Sequence, residues 1–195
     1  LDKFDRPVGK PRARLVIDGQ QRLTTVQIVL MALRDALPKE DGCERLRGRV
    51  EELISNKFVA AAEDELKVFP TNVDGAAYRA VATTESPEEL AAAIEDQGLN
   101  ADSRIVKCYL YFYKAAVSWI GQDGPGKLEQ RADALIDALR QKVRIVVIDM
   151  DDEDEAQVIF ETLNARMTPL LEADLVKNYV FRQAKTEGHD VDRLY

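Results

Sequence analysis

With 195 residues, 46% of them apolar and 32% charged, the chain has the balance of a folded globular domain, not of a disordered segment. It has no apolar run of about eighteen residues, which excludes a transmembrane helix, and its opening lacks the basic-then-apolar order of a secretory signal. A net charge of −8 argues against non-specific nucleic-acid binding, which rests on phosphate neutralisation. The chain starts at Leu1 and closes on a helical pattern over residues 191–195, as expected of a piece of a longer protein.

Residues 1–12 contain Pro7, Gly9 and Pro11 among many charges and read as a loop. Residues 1–50 carry 11 basic against 7 acidic side chains, and residues 51–195 carry 16 against 28. Lys3, Arg6, Lys10, Arg12 and Arg14 are therefore the segment expected to meet any polyanion, with a solvated loop as the plainer reading. Leu15, Val16 and Ile17 predict a short strand over 13–18 that ends on an acid, Asp18. Gly19 opens a helix running to about Leu37. Leu23, Val26, Leu30, Leu33 and Leu37 recur at three-four spacing, and Ile28, Val29 and Met31 make its other faces apolar, so it is expected to be largely buried.

Pro38 and Gly42 end that helix. A second helix over 45–62, a short strand over 66–69, and a turn and helix over 72–83 follow. Ser86-Pro87-Glu88-Glu89 is a helix start, with a Ser cap, Pro at the first position and Glu at the third. Residues 102–120 form the most aromatic helix, with Tyr109, Tyr111, Phe112, Tyr113 and Trp119. Such rings stack on bases in some proteins, but core packing is the favoured reading in an acidic helical region. After a loop over 121–126 and a helix over 127–141, the β-branched run 143–148 predicts a central strand buried on both faces. Helices over 153–164 and 171–185 flank a loop over 165–169. The expected class is α+β with a helical majority, in a single domain of three parts: 1–70, 71–142 and 143–195.

Cys43 and Cys108 lack metal-type spacing and read as reduced thiols of a cytoplasmic protein. With His189 as the single histidine, neither a zinc site nor an HNH-type nuclease centre is encoded. The acidic run Asp149, Asp151, Asp152, Glu153, Asp154 and Glu155 invites a metal-site reading, but it precedes a predicted helix, where acids complement the dipole, and that is the favoured reading. If the strands ending at Asp18 and Asp149 ran parallel, both acids would share one rim.

The segment that carries chemistry is Asp18-Gly19-Gln20-Gln21-Arg22-Leu23-Thr24-Thr25. The first amides of a helix have no internal partners, and the macrodipole adds partial positive charge, so such a start is a ready anion site. Gly19 removes a Cβ that would hold a phosphate away, Arg22 can fork onto phosphate oxygens, and Thr24 and Thr25 add hydroxyls. Asp18 can hold Mg2+ beside phosphates or position a water. A second reading stands beside this one: Asp18 as N-cap, with Gln21 completing a capping box. Gly19, a poor helix former, is left unexplained by capping alone. The Lys-Ser/Thr pair of a Walker loop is missing.

These residues resemble the DGQQR signature of the N-terminal domain of GmrSD-type modification-dependent restriction proteins, within the ParB/sulfiredoxin-like superfamily. A second stretch is similar to that family's later motif: Phe160, Leu163, Asn164 and Arg166, then Leu170, Asp174, Leu175, Lys177 and Asn178. Order and separation agree, so the resemblance spans nearly the whole chain. Met167 stands where the family usually has Gly, and Leu171 where a capping Ser is common. The family's opening Tyr-Gln-Arg element is absent before Leu1.

The resemblance implies a ParB/sulfiredoxin-like small sheet with a helical majority. It implies a domain that binds and hydrolyses a nucleoside triphosphate with Mg2+, in support of modified-DNA recognition and of cleavage by a separate HNH-type nuclease domain or subunit. Carried over, Gly19, Gln20, Gln21, Arg22 and Thr24 bind the nucleotide, Asp18 and Arg22 are catalytic, and Asp18 is the candidate metal ligand. Asn164, Arg166, Asp174 and Lys177 would close the site. For these four, a helix C-cap at Asn164 and an exposed Asp174–Lys177 pair are equally open readings. DNA would be met through the full-length protein, and no membrane is involved. The competing functions are a non-hydrolytic ParB-like DNA-binding or scaffold module, and a direct nuclease, against which the single histidine and the acidic balance count.

Overall fold

The computed structural model describes residues 2–4, 10–11, 13–39, 42–59, 61, 64–70 and 74–149. The chain divides into two compact units, one of Lys3–Ile148 and one of Leu1–Asp2 with Asp149–Tyr195. Nearly all of the second unit, including both helices expected after residue 150, lies outside the described residues.

The first unit is built of helices: α1 (Gln20–Ala36), α2 (Glu44–Ile54), α3 (Gly75–Thr83), α4 (Pro87–Asp96), α5 (Arg104–Gly121) and α6 (Leu128–Lys142). A two-stranded sheet of β1 (Asp2–Phe4) and β2 (Ala13–Leu15) leads into them. The expected helical majority is present. Among the described residues this pair is the whole sheet, so the larger ParB-like sheet is not seen there.

Helix α1 is the centre of the unit and packs most extensively on α5. Gln27, Ile28 and every residue of 30–35 are buried, as expected of a helix apolar on several faces. Leu46, Val50 and Ile54 of α2 recur every four residues and are fully covered. Tyr78 and Val81 of α3, Leu90 of α4, Ile105 and Tyr109 of α5, and Ile136 of α6 complete the core. Helix α4 begins as its sequence predicts: the Ser86 side chain accepts from the Glu89 amide at 3.1 Å, with Pro87 at the first position.

Several expectations are corrected. The opening residues are not all loop, because Asp2–Phe4 pairs with Ala13–Leu15. The second strand stops at Leu15, short of Asp18, and Arg14 and Leu15 are exposed. Helix α2 ends at Ile54 instead of Ala62. Ser55 turns extended and bridges Leu66, and the Asn56 side chain donates to the Asp64 carbonyl at 2.8 Å, offering the backbone an alternative to another helical turn. The strand expected over 66–69 shrinks to that single bridge at Leu66. Residues 143–148 form no strand and are exposed, with Val146 at 85%. A β-branched run becomes a buried strand only beside a neighbouring strand, and none flanks it among the described residues.

A buried polar network ties α1 to its neighbours. The Arg34 guanidinium uses all five N–H groups: two on the Asp35 carboxylate at 2.6 and 3.1 Å, one on Glu51 at 3.4 Å, and two on the Ala82 and Thr84 carbonyls at 3.1 and 2.7 Å. The last two satisfy the end of α3. Arg47 from α2 closes the end of α1 in the same way, donating to the Arg34 and Leu37 carbonyls at 2.9 and 3.2 Å. Burial alone would pull the Arg34 guanidinium down, but its hydrogen bonds and charge contacts with Asp35 and then Glu51 carry it above its ordinary value. The C-terminal half of α1 is thus held on three sides, which fixes the direction from which its N-terminus emerges.

Candidate functional site

The sequence motif lies where β2 hands over to α1. Gly19 is the N-cap, with φ +88° and ψ 11°, in the left-handed region that a side chain disfavours. That conformation turns the chain sharply so that Gln20 enters the helix, and the first helical bond runs from the Leu23 amide to the Gly19 carbonyl at 3.0 Å. Among the described residues no side chain caps the helix, and no acid stands in its first turn. The capping-box expectation is therefore corrected: Asp18 precedes the cap, and its carboxylate turns elsewhere.

Its partner is Arg22. Nη2 of Arg22 donates to Oδ2 of Asp18 at 2.9 Å, with both side chains open to solvent. The guanidinium lies across the bare Cα of Gly19. A Cβ built there would sit 3.4 Å from Nη2 and 3.6 Å from Nε. A cation in the first helical turn is opposed by the dipole. Here Asp18 supplies the compensating negative charge.

The neighbouring side chains hold the turn. Gln20 Nε2 donates to the Val16 carbonyl at 2.7 Å, and Thr25 Oγ1 donates to the Gln21 carbonyl at 2.7 Å. Gln21 is exposed, and Thr24 is half-buried in the same first stretch of α1. Asp18, Gly19, Gln20, Gln21, Arg22 and Thr24 are thus brought together by one turn of backbone. Asn164, Arg166, Asp174 and Lys177 lie outside the described residues. Asp149 is exposed; β2 stops at Leu15, short of Asp18, and residues 143–148 form no strand, so the expected shared rim of strand ends is not seen among the described residues.

Among the described residues no cluster of three His, Cys, Asp or Glu could hold a metal by itself. Mg2+ differs from zinc in this respect, because it is commonly held by one or two carboxylates together with substrate phosphates and waters. A single exposed Asp18 beside a helix N-terminus fits that donor set.

A sequence model of the GmrSD restriction endonuclease N-terminal domain matches residues 6–181. The chain belongs to that family. The match takes in both the Asp18–Arg22 turn and the second motif around Asn164 and Asp174. Comparison with curated proteins and with solved structures gives no match. As a GmrSD N-terminal-domain protein the chain is tied to restriction, and no helix among its described residues is long and apolar enough to cross a membrane.

Two features of this GmrSD-family unit are not evident from sequence pattern. One is the Asp18–Arg22 pair, whose i, i+4 spacing is visible in the sequence but straddles the helix start. The other is the buried Arg34–Asp35 pair in the last turn of α1, whose partners on α2, α3 and α5 are distant in the chain.

Proposed function

We propose that this chain is the nucleotide-binding and NTP-hydrolysing domain of an anti-phage, modification-dependent restriction system, acting in the cytoplasm with a separate HNH-type nuclease domain or subunit. The observation that supports this most is the start of α1: a helix N-terminus that no side chain among the described residues caps, a left-handed Gly19, and an Arg22 guanidinium folded over it. Each part favours an anion, and the three converge on one point.

In this reading phosphate oxygens meet the amides of Gln20 and Gln21, with the missing Cβ of Gly19 allowing the approach. Arg22 exchanges the Asp18 carboxylate for the phosphates, so the pair seen here is the resting form of the site. Asp18, once released, orients the attacking water or holds Mg2+. When bound, Mg2+ would neutralise charge on the phosphates. Thr24 adds a hydroxyl one turn deeper, and Asn164, Arg166, Asp174 and Lys177 would complete the enclosure.

The test is hydrolysis of each of the four NTPs with Mg2+ by the parent chain, by Asp18→Ala and by Arg22→Ala, with unfolding followed alongside. A nucleotide at about 100 times its Kd is expected to stabilise the parent by roughly 2.7 kcal/mol and to leave the folded Arg22→Ala unchanged. If the parent neither binds nor hydrolyses any nucleotide, the Asp18–Arg22 pair is architectural, and the ParB-like DNA-binding reading takes its place.

A further inference from the structure

Helix α5 carries Arg104, Lys107 and Lys114 and has no Asp or Glu among its 18 residues, within a chain of net charge −8. Its covered face is made by Ile105, Val106, Tyr109, Ala116 and Ile120. The opposite pole holds Arg104, Lys107, Tyr111, Lys114 and Ser118, which follow one another at steps of three and four residues. All five are exposed, Tyr111 at 68%. They form a single ridge about 21 Å long, at ~1.5 Å per residue.

Every member of the ridge ends in an N–H or O–H donor. Ala115, exposed beside it, leaves room for close approach. Lys107 bonds Asp102 at 2.9 Å, but that pair is open to water at both ends and exchangeable. Glu88 acts on Tyr113, on the far side of the helix from the ridge. The acidic total of the chain therefore conceals a local surface of the other sign.

We propose that this ridge is a contact surface for the sugar–phosphate backbone of duplex DNA. Arg, Lys, Ser and Tyr side chains are the groups that bond phosphate oxygens, and such bonds position a protein without reading sequence. A single file of donors suits a uniform polyanion. A protein partner would instead need a central cluster of buried anchors, and the ridge offers one aromatic ring. The inference rests on the restriction family and not on the nucleotide site.

The test is fluorescence anisotropy of a short labelled duplex with the 195-residue chain, between about 50 and 200 mM salt. Lys107→Gln with Lys114→Gln is expected to weaken binding at least about tenfold at low salt. It should also lower the log–log salt slope by about 1.8, at roughly 0.9 for each phosphate no longer neutralised. Lys39→Gln with Lys57→Gln, which removes exposed lysines on other elements, is expected to keep the parent slope. The proposal is overturned if the parent does not bind the duplex at low salt, if the ridge variant binds like the parent, or if the control pair weakens binding as much. Arg22→Ala separates the two sites: loss of nucleotide with DNA binding kept leaves the ridge standing. Loss of DNA in Arg22→Ala, with the ridge variant intact, overturns the ridge and moves the DNA to the start of α1.

Discussion

Tyr109 of α5 donates its hydroxyl to Asp35 of α1 at 2.9 Å, joining two buried residues that stand 74 positions apart in the chain. The same Asp35 oxygen also accepts from Arg34. The bond therefore does not merely add a link between the two most closely packed helices. It completes the partner set of a carboxylate that would otherwise be short of a donor in an apolar setting.

The Tyr109 bond contrasts with Tyr78, whose buried hydroxyl has no partner among the described residues. Tyr109→Phe is expected to cost about 1–3 kcal/mol, because it strands part of the Asp35 charge. Tyr78→Phe removes a group that is already unsatisfied and is expected to be neutral or slightly stabilising. Denaturant unfolding of the two variants checks the pair: equal losses would contradict the network.

Burial pushes both phenols above their ordinary value of 10.0, with the Asp35 charge adding to the effect at Tyr109. A group raised in the folded state contributes stability that is fully present below its unfolded pKa and is lost as pH rises through the folded one. The fold is therefore expected to weaken above about pH 10. Ultraviolet absorbance of tyrosinate is expected to show Tyr78 and Tyr109 ionising together with loss of helix, not before it.

Gly19→Ala tests the turn. The left-handed φ costs an L-residue roughly 1–2 kcal/mol, while the new Cβ would sit in ordinary van der Waals contact with the Arg22 guanidinium. Gly19→Asn is expected to cost less in stability, since Asn accepts that conformation through local hydrogen bonds. In an Arg22→Ala background the backbone cost is expected to remain nearly whole, because it lies in the φ of +88° and not in the Arg22 contact. Thermal unfolding of the single and double variants gives the coupling directly.

Ser86→Ala is expected to destabilise the unit by about 1 kcal/mol through loss of the α4 cap. The Glu85 amide also donates to the Glu89 carboxylate at 2.8 Å, so Glu89→Ala should cost a comparable amount. A thermal shift in only one of the two would show that the caps do not act together.

The helices were legible wherever a local rule decides them. Ser86-Pro87 and the three-four spacing of Leu23, Val26 and Leu30 carry their own start signals and periodicity, and α4 and α1 form as those signals predict. The residues of the proposed site stand close together for the same reason, because the turn into α1 brings them together. The role of Asp18 was not legible. Capping and pairing use the same residue at the same place, and the choice depends on whether Asp18 or Gly19 makes the turn into the helix.

The sequence by itself determined the helical majority, the burial of α1 and the residues at its N-terminus, which follow from spacing and short-range chemistry, and its two motifs carried the resemblance to the family. Tertiary structure decided the rest. It ended α2 at Ile54 by giving Ser55 and Asn56 partners at 64–66, and it left residues 143–148 without a neighbouring strand among the described residues. It also sorted the five aromatic residues of α5, sending Tyr109 to a buried carboxylate and Tyr111 to the surface ridge. A strand, a buried charge and a surface of one sign all need partners distant in the chain, and local pattern carries no information about who those partners are.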